Sequence, residues 1–295
     1  MIFMPGTKTA AIVVTYYPDN EAIANLQRIA EQADLLFVVD NGSPAERIDA
    51  IQQSLAHCLN GYLLSLGNNE GVAAALNRGV EAALRQGSEF LLLLDQDSEC
   101  GPGFVARMRE AALAAPPSFD RILYSPLHLS RKTGVPIGFV PASDGSLFVA
   151  ITAGTFFHHS LYERTGPFDE SLFIDHVDDE YCLRLRRMGG TIMQVCDAVL
   201  VHEVGDPSRY RFLGREFSSL NHPAKRRYFI VRNRLLVLSK HFADNPRYTV
   251  LLLRQTLMDT LKIALIPKDR SEKLKLSFKG LLDALCGRRG NRVGL

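Results

Sequence analysis

Four leucines, Leu91 to Leu94, run without interruption into Asp95-Gln96-Asp97-Ser98. The apolar run reads as a buried strand. Side chains at i and i+2 of an extended chain point the same way, so Asp95 and Asp97 project together from the strand's carboxyl end. Two hard oxygen ligands so placed suit Mg²⁺ or Mn²⁺, which bind few carboxylates and keep positions for phosphate oxygens. Open α/β sheets bind their ligands beyond the carboxyl ends of the strands. Taken alone, the same residues also read as a surface Asp-x-Asp turn. The rest of the chain decides between the two, because other segments ask for the same ligand.

Those segments alternate strand and helix. Ala10 to Tyr16 is a β-branched run, and Tyr17-Pro18-Asp19-Asn20 closes it and opens a helix from Glu21 to Gln32. Leu35 to Val39 is a second strand, ended by Asp40-Asn41-Gly42-Ser43-Pro44, with a helix from Arg47 to Cys58 behind it. Tyr62 to Leu66 is a third, followed by Gly67-Asn68-Asn69-Glu70-Gly71 and an Ala-rich helix from Val72 to Gln86. Such alternation predicts an α/β fold around a mostly parallel, doubly wound sheet, with polar strand ends sharing one crevice. Regularity weakens after Gly101. Helices are expected over 104–115, 160–165 and 178–188, strands and turns over 122–140, and short strands over 191–195 and 198–201. The last of these runs into His202-Glu203-Val204-Gly205. From about Arg209 the chain turns helical and basic, so a loose division is expected near residue 208, between 1–208 and 209–295.

Composition removes several classes. A net charge of +2 gives no bias toward nucleic acid, although the basic residues gather after residue 184. Five cysteines without Cys-x-x-Cys spacing argue against a zinc site and a disulfide framework, and fit a reducing cytosol. Met1 to Thr9 does not resemble a signal peptide, and no apolar run reaches the roughly 18 residues of a membrane span. No Gly-x-Gly-x-x-Gly follows the first strand and no Walker sequence is present, which argues against nicotinamide, flavin and NTPase chemistry. Tyr248 to Ile266 is apolar but interrupted by Arg254, Gln255, Asp259 and Lys262. Lys268, Arg270, Lys273, Lys275, Lys279, Arg288, Arg289 and Arg292 follow. This reads as an amphipathic helix on an anionic membrane surface, or as a helical cap or dimer contact.

Three constellations carry chemistry. Thr15, Asp40 and Asn68 sit at strand ends. Asp40 could accept hydrogen bonds from a base imide or a ribose hydroxyl, or it could simply build an Asp-Asn-Gly turn. Asp175, Asp178, Asp179 and Glu180 place four carboxylates within six residues. Helix electrostatics, with Arg184, Arg186 and Arg187 at the other end, account for Asp179 and part of Glu180. They account less well for Asp175 and Asp178, and a carboxylate at such a helix start could act as a general base. His202 follows a buried strand, where it is either structural or a further ligand for Mn²⁺ beside carboxylates.

Together these segments resemble the family 2 glycosyltransferases, of GT-A fold, over roughly residues 9–240. The likeness rests on Ile12-Val13-Val14-Thr15-Tyr16-Tyr17-Pro18, Val38-Val39-Asp40-Asn41-Gly42-Ser43, Asn69-Glu70-Gly71 through Asn77-Arg78-Gly79, Asp95-Gln96-Asp97-Ser98 and Gly166-Pro167-Phe168-Asp169-Glu170. Asp-Gln-Asp-Ser, Phe173 to Tyr181, and Arg227-Tyr228-Phe229-Ile230-Val231-Arg232-Asn233 are similar to the rhamnosyltransferase group, which uses dTDP-L-rhamnose to build bacterial surface polysaccharides such as O-antigen.

The resemblance implies a role for each matching residue. Asp40 would meet the thymine or uracil edge, with Thr15 and Asn68 near the nucleotide and Arg78 near base or phosphates. Asp95 would meet the ribose and the metal shell, Asp97 would ligate Mg²⁺ or Mn²⁺, and His202 would complete the metal–diphosphate site. Asp178 matches the catalytic aspartate. Val177 stands where the family has Glu, and Glu180 where it has a later Asp, so the base stays open among Asp175, Asp178, Asp179 and Glu180, with Asp178 favoured. Asp175, Glu180 and Arg232 fall on the acceptor side.

The implied activity is an inverting, metal-dependent transfer from a nucleotide-sugar donor, dTDP-rhamnose, to a saccharide or lipid-linked acceptor. It would occur in the cytoplasm, with peripheral contact to the inner face of the membrane or homo-oligomer formation through the tail. The alternatives are a transferase using another UDP- or dTDP-sugar, a nucleotidyltransferase, which would want a Gly-rich basic loop after the first strand, and a non-catalytic sugar-nucleotide-binding scaffold.

Overall fold

A computed structural model of the protein describes residues 7–114, 118–202, 207–212, 215–220, 222–265 and 269–295. Glu203, Val204 and Gly205 of the strand-end motif, and Ile266 and Lys268 of the tail, lie outside the described residues. The chain forms two compact units, residues 1–169 with 181–203, and residues 170–180 with 204–295.

The first unit holds β1 (Thr9–Thr15), α1 (Asn20–Ala30), β2 (Leu35–Asp40), α2 (Ala45–Leu55), β3 (Gly61–Ser65), α3 (Val72–Arg85), β4 (Phe90–Asp95), β5 (Glu99–Cys100), α4 (Phe104–Leu113), β6 (Ile122–Ser130), β7 (Pro136–Ile137), β8 (Ser146–Leu147), β9 (Phe156–His158) and α5 (His159–Thr165). It also takes the later part of α6 (Val177–Arg187) and β10 (Thr191–His202). The sheet runs β3-β2-β1-β4-β9-β6-β10-β5, with β7 on β6 and β8 on β10.

The first four strands are parallel, as their alternation with helices predicts. Ile12, Val13, Leu36, Val38 and Leu91 to Leu94 have no solvent exposure. Burial of each such side chain contributes about 1.5–3 kcal/mol. Register lines up the carboxyl ends: Thr15 pairs with Asp40, Val14 with Asp95, and Asp40 with Ser65. Thr15, Asp40 and Asp95 therefore share one rim. The short antiparallel β9 then separates β4 from β6, which makes the whole sheet mixed.

The two short strands expected over 191–195 and 198–201 are one strand, β10, with a bulge between Val195 and Val199. The opposing strand explains it. Pro126 in β6 pairs with Val195 at the edge of the irregularity, and proline has no N–H for a regular ladder.

The second unit contains a 3₁₀ turn at Glu170–Leu172, the first turn of α6, the antiparallel hairpin β11 (Pro207–Phe212) and β12 (Arg215–Leu220), and the helices α7 (Ala224–His241), α8 (Pro246–Leu265) and α9 (Arg270–Leu285). The chain was expected to be helical from about Arg209, and instead a hairpin stands there before the helices begin. Phe173, Tyr228 and Phe229 form a small core with Leu276. α9 approaches α7 so closely that a Cβ on Gly280 would lie 2.6 Å from the Tyr228 carbonyl oxygen. Among the described residues, no helix is long and apolar enough to cross a membrane.

Candidate active site

Asp95 ends β4 and His202 ends β10, about a hundred residues later in the chain. The link between them is β5, where Cys100 pairs with Leu200 and Glu99 with Val201. That short antiparallel pairing brings the loop carrying Asp97 against His202. The His202 Nδ1 lies 3.2 Å from an Asp97 oxygen, and its Nε2 lies 3.9 Å from an Asp95 oxygen. One ligand atom from each of the three residues falls within 4.8 Å of the others.

The loop itself is tied down. The Asp95 N–H donates to the Ser98 hydroxyl at 3.1 Å, and Arg131 donates to the Asp97 carbonyl at 2.8 Å while pairing with Glu21 and Glu99. Both aspartate side chains are about two-fifths exposed and the histidine is nearly buried. Two open carboxylates over a fixed imidazole fit a divalent cation that keeps sites for other ligands. Beside His202 stands His128, which burial holds down at about 4 and which is bonded to the Ala153 carbonyl, so it stays neutral.

On the same rim, Thr15 donates to Asp40 at 3.2 Å, and the other Asp40 oxygen accepts from the Gly42 and Ser43 N–H groups at 3.2 and 2.9 Å. Asp40 is fully buried. It builds the Asp-Asn-Gly turn from inside, and in this arrangement the loop surface, not the carboxylate, faces outward. Asn41 ties the turn to the next one by bonding Asn69 and the Glu70 N–H. Gly42 has φ +95°, and a Cβ there would meet Asn68 backbone carbon at 2.6 Å. Asn68 is exposed, and Arg78 is half-exposed at 3.9 Å from both Glu70 and Glu81. Tyr16 and Tyr17, which were not among the expected site residues, stand exposed with their rings edge to face at 4.7 Å. The Tyr16 N–H donates to Gln96, and Tyr17 takes φ 51° while donating to Ser43.

The acidic cluster belongs to the second unit. Phe173, Asp175 and His176 all have positive φ, at 69°, 63° and 62°. Such backbone is unfavourable for non-glycine residues and persists only where the surroundings impose it. Asn233 imposes it here, its amide nitrogen lying 2.7, 2.6 and 3.0 Å from the carbonyls of Leu172, Ile174 and Asp175. Arg232, expected on the acceptor side, has no exposure at all. It donates to the Leu172 and Gly290 carbonyls and lies over the rings of Tyr228 and Phe229. Its place is that of a strut under the loop.

The four carboxylates are thereby sorted. Asp175 pairs with Arg226 at 3.0 Å. Glu180 is buried and pairs with Lys240 at 2.7 Å and His241 at 3.5 Å. Asp179, assigned from sequence to helix electrostatics, instead has two side-chain partners: the His176 Nδ1 at 2.5 Å and the Tyr248 hydroxyl at 2.8 Å. Arg234 donates to the other ring nitrogen of His176, which puts the imidazole proton on Nδ1. Burial works to raise Asp179, but the hydrogen bonds from His176 and Tyr248 and the nearby Arg234 charge outweigh it and hold its carboxyl below the usual carboxylate range. Asp178 accepts one hydrogen bond, from the Asp179 N–H at 3.0 Å. Burial first, and the Asp179 charge second, push it up to about 7. Adjacent carboxylates driven in opposite directions are the usual mark of separated acid–base roles.

Arg227 had no sequence signal as a functional residue beyond its place in the Arg227–Asn233 motif. It is buried, and among the described residues its Nε and one terminal nitrogen have no hydrogen-bond partner.

The glycosyl transferase family 2 pattern matches residues 11–136, the segment that holds nearly all of the four parallel strands and both aspartates of the candidate metal cluster. The dTDP-rhamnosyl transferase RfbF of Shigella flexneri is 31% identical over 295 residues, covering 95% of this chain and 95% of that protein. The low-salt glycan biosynthesis hexosyltransferase Agl10 of Haloferax volcanii is 26% identical over 272 residues, covering 82% of this chain and 80% of its own.

Two solved structures share the fold at low identity. GalNAc-T7 with UDP, GalNAc and Mn²⁺ has a TM-score of 0.60 at 15% identity, covering 94% of this chain and 55% of that one, so the chain spans about half its length. The mannosyltransferase PcManGT of Pyrobaculum calidifontis with GDP-Man and Mn²⁺ has a TM-score of 0.57 at 17% identity, covering 95% and 75%. The chain belongs to glycosyl transferase family 2 and is a glycosyltransferase of GT-A fold. Within that family it is rhamnosyltransferase-like.

Proposed function

We propose that the protein moves L-rhamnose from dTDP-L-rhamnose, with inversion, onto a hydroxyl of a saccharide or lipid-linked acceptor during synthesis of a bacterial surface polysaccharide. The observation that carries the donor assignment is the 31% identity to a dTDP-rhamnosyl transferase along 95% of both chains. Five free cysteines fit work in the reducing cytoplasm.

In this reading Asp95, Asp97 and His202 hold Mg²⁺ or Mn²⁺. When bound, the cation supplies positive charge against the negative charge that builds on the leaving diphosphate. The loops after β1, β2 and β3, ordered by Asp40 and Asn41, take the nucleoside. Thr15 and Asn68 border it, and Arg78 answers the phosphates or base. Asp178 removes the proton from the acceptor hydroxyl as that oxygen bonds to the anomeric carbon and the carbon–diphosphate bond breaks. A base with a pKa near 7 is matched to this task, and among the described residues Asp178 accepts no hydrogen bond from a cationic or hydroxyl side chain. Asp175, paired with Arg226, stands on the acceptor side, and the buried Glu180 supports that side from beneath through Lys240 and His241. Direct displacement requires no covalent sugar–enzyme intermediate.

The test is a melting-temperature panel with dTDP-rhamnose, other dTDP- and UDP-sugars and GDP-mannose, each with Mn²⁺, Mg²⁺ or chelator. Stabilisation by a ligand at 100 times its Kd is about 2.7 kcal/mol. The reading expects the largest shift with dTDP-rhamnose and a divalent cation. An equal or larger shift with a UDP-sugar would reassign the donor.

A further inference from the structure

α8 departs from an ordinary surface helix, because it buries Leu252 and Ile263 inward and yet stays apolar outward as well. Its inward side is anchored by polar bonds. Tyr248 reaches Asp179, and Thr256 and Asp259 both meet Arg234. Its outward side is apolar. Val250, Leu253, Leu257, Leu261 and Leu265 recur at helical spacing along one face, and all are between 43% and 63% exposed. α9 repeats the pattern with Phe278, Leu282 and Leu285, at 60%, 46% and 75% exposed. Contiguous apolar surface of this kind marks an interaction site.

The charge around it is one-sided. Residues 246–295 carry eleven Lys and Arg against four Asp and Glu, in a chain whose net charge is +2. Two of those four acids are engaged internally: Asp259 with Arg234, and Asp283 with Lys279 and Arg288. The charged residue within the α8 stripe, Arg254, is basic and exposed, as are Arg247 at its start and Lys275 on α9.

We propose that the outward faces of α8 and α9 dock on an anionic lipid surface, with the leucines entering the headgroup–acyl boundary and the basic residues meeting lipid phosphates. Interfacial helices have this combination of an apolar face with flanking Lys and Arg. A second copy of the chain fits less well. In a two-fold interface the same patch meets itself, which would set these basic residues opposite one another. The inference does not depend on the donor assignment, and its test reads binding, not turnover.

The experiment is co-sedimentation of the full-length protein with vesicles of phosphatidylcholine alone or with 30% phosphatidylglycerol, at low and high salt. Three forms are compared: wild type, Leu253→Ser/Leu257→Ser/Leu261→Ser, and Arg247→Glu/Arg254→Glu. These side chains are exposed, so folding is checked by an unchanged melting temperature. Wild type is expected to partition onto the phosphatidylglycerol vesicles and to release at high salt. The serine variant should lose at least tenfold in partition, and the charge variant roughly fivefold or more per residue reversed. Equal binding to neutral vesicles, or no binding by wild type, overturns the proposal. So does a wild-type dimer in sedimentation velocity that the serine variant dissociates without any vesicle binding, which would assign the face to a second copy.

Discussion

Asp178 and Asp179 are consecutive on the first turn of α6, yet Asp179 accepts from His176 and Tyr248 while, among the described residues, Asp178 accepts only the Asp179 N–H. The consequence for stability has a definite sign. Asp178 sits at about 7 in the folded protein, well above an unfolded aspartate near 3.9. The stability linked to that raised value is fully present below about pH 4 and is lost as pH rises through 7. Asp178→Asn removes the group that must ionise in place. The variant is expected to melt higher than wild type at pH 8, with the difference shrinking toward pH 5. Melting curves across that range check it, and an Asp178→Asn protein less stable than wild type at pH 8 would contradict the assignment.

Asp97→Ala should abolish transfer and remove the dependence of nucleotide binding on divalent cation, because Asp97 lies 3.2 Å from His202 and completes the ligand cluster. Calorimetric titration of dTDP with and without Mn²⁺ is the measurement. Near-normal turnover in the variant would mean that the cation, if used, is held elsewhere.

Gly42→Ala should lower stability by about 1–3 kcal/mol, since φ +95° is unfavourable for any side chain and its Cβ would press on the Asn68 backbone. Urea denaturation reads the stability. The same change should weaken donor binding, because it separates the Asp40 and Asn68 loops. A donor affinity equal to that of wild type would detach these loops from nucleotide recognition.

Asn233→Ala deprives the carbonyls of Leu172, Ile174 and Asp175 of their shared donor. The positive-φ segment behind Asp178 should relax, with kcat falling and donor Kd unchanged, and a stability loss of about 1–3 kcal/mol. A fall in donor affinity at constant kcat would show that Asn233 serves the nucleotide instead.

The parallel half of the sheet was legible because each strand is a short apolar run closed by turn residues, a local signal. Asp95 and Asp97 were legible for the same reason. His202 was expected beside them chiefly through the family resemblance, because its approach depends on a two-residue strand, Glu99–Cys100, pairing across a hundred residues of chain. The hairpin of Pro207–Phe212 and Arg215–Leu220 was hidden by its polar, basic composition, in which alternation is confined to Arg209-Tyr210-Arg211-Phe212 and the second strand, Arg-Glu-Phe-Ser-Ser-Leu, has none. Arg232 and Asn233 stood out as a motif, but their work is to bind carbonyls 60 residues upstream, and nothing in their own segment says so. The segment 170–180 likewise reads as a continuation of the strand–helix pattern, whereas its contacts belong with α7, α8 and α9. Those contacts also mean that truncation at Tyr248 would remove α9 from α7 and the Gly290 carbonyl from Arg232. Exposed point substitutions are therefore the sound probe of the tail.

The central claim is that Asp178 takes the acceptor's proton. The most direct measurement is the pH dependence of single-turnover rhamnosyl transfer from dTDP-L-rhamnose by wild type, Asp178→Asn and Asp179→Asn, with donor Kd determined in parallel. Wild-type rate should rise with pH to a plateau above an apparent pKa near 7. Asp178→Asn should lose roughly 10²–10⁴-fold and the ascending limb, with donor Kd unchanged. Asp179→Asn should lose much less. Equal losses at both positions, or an ascending limb that survives in Asp178→Asn, would contradict the account and leave the cluster a structural one.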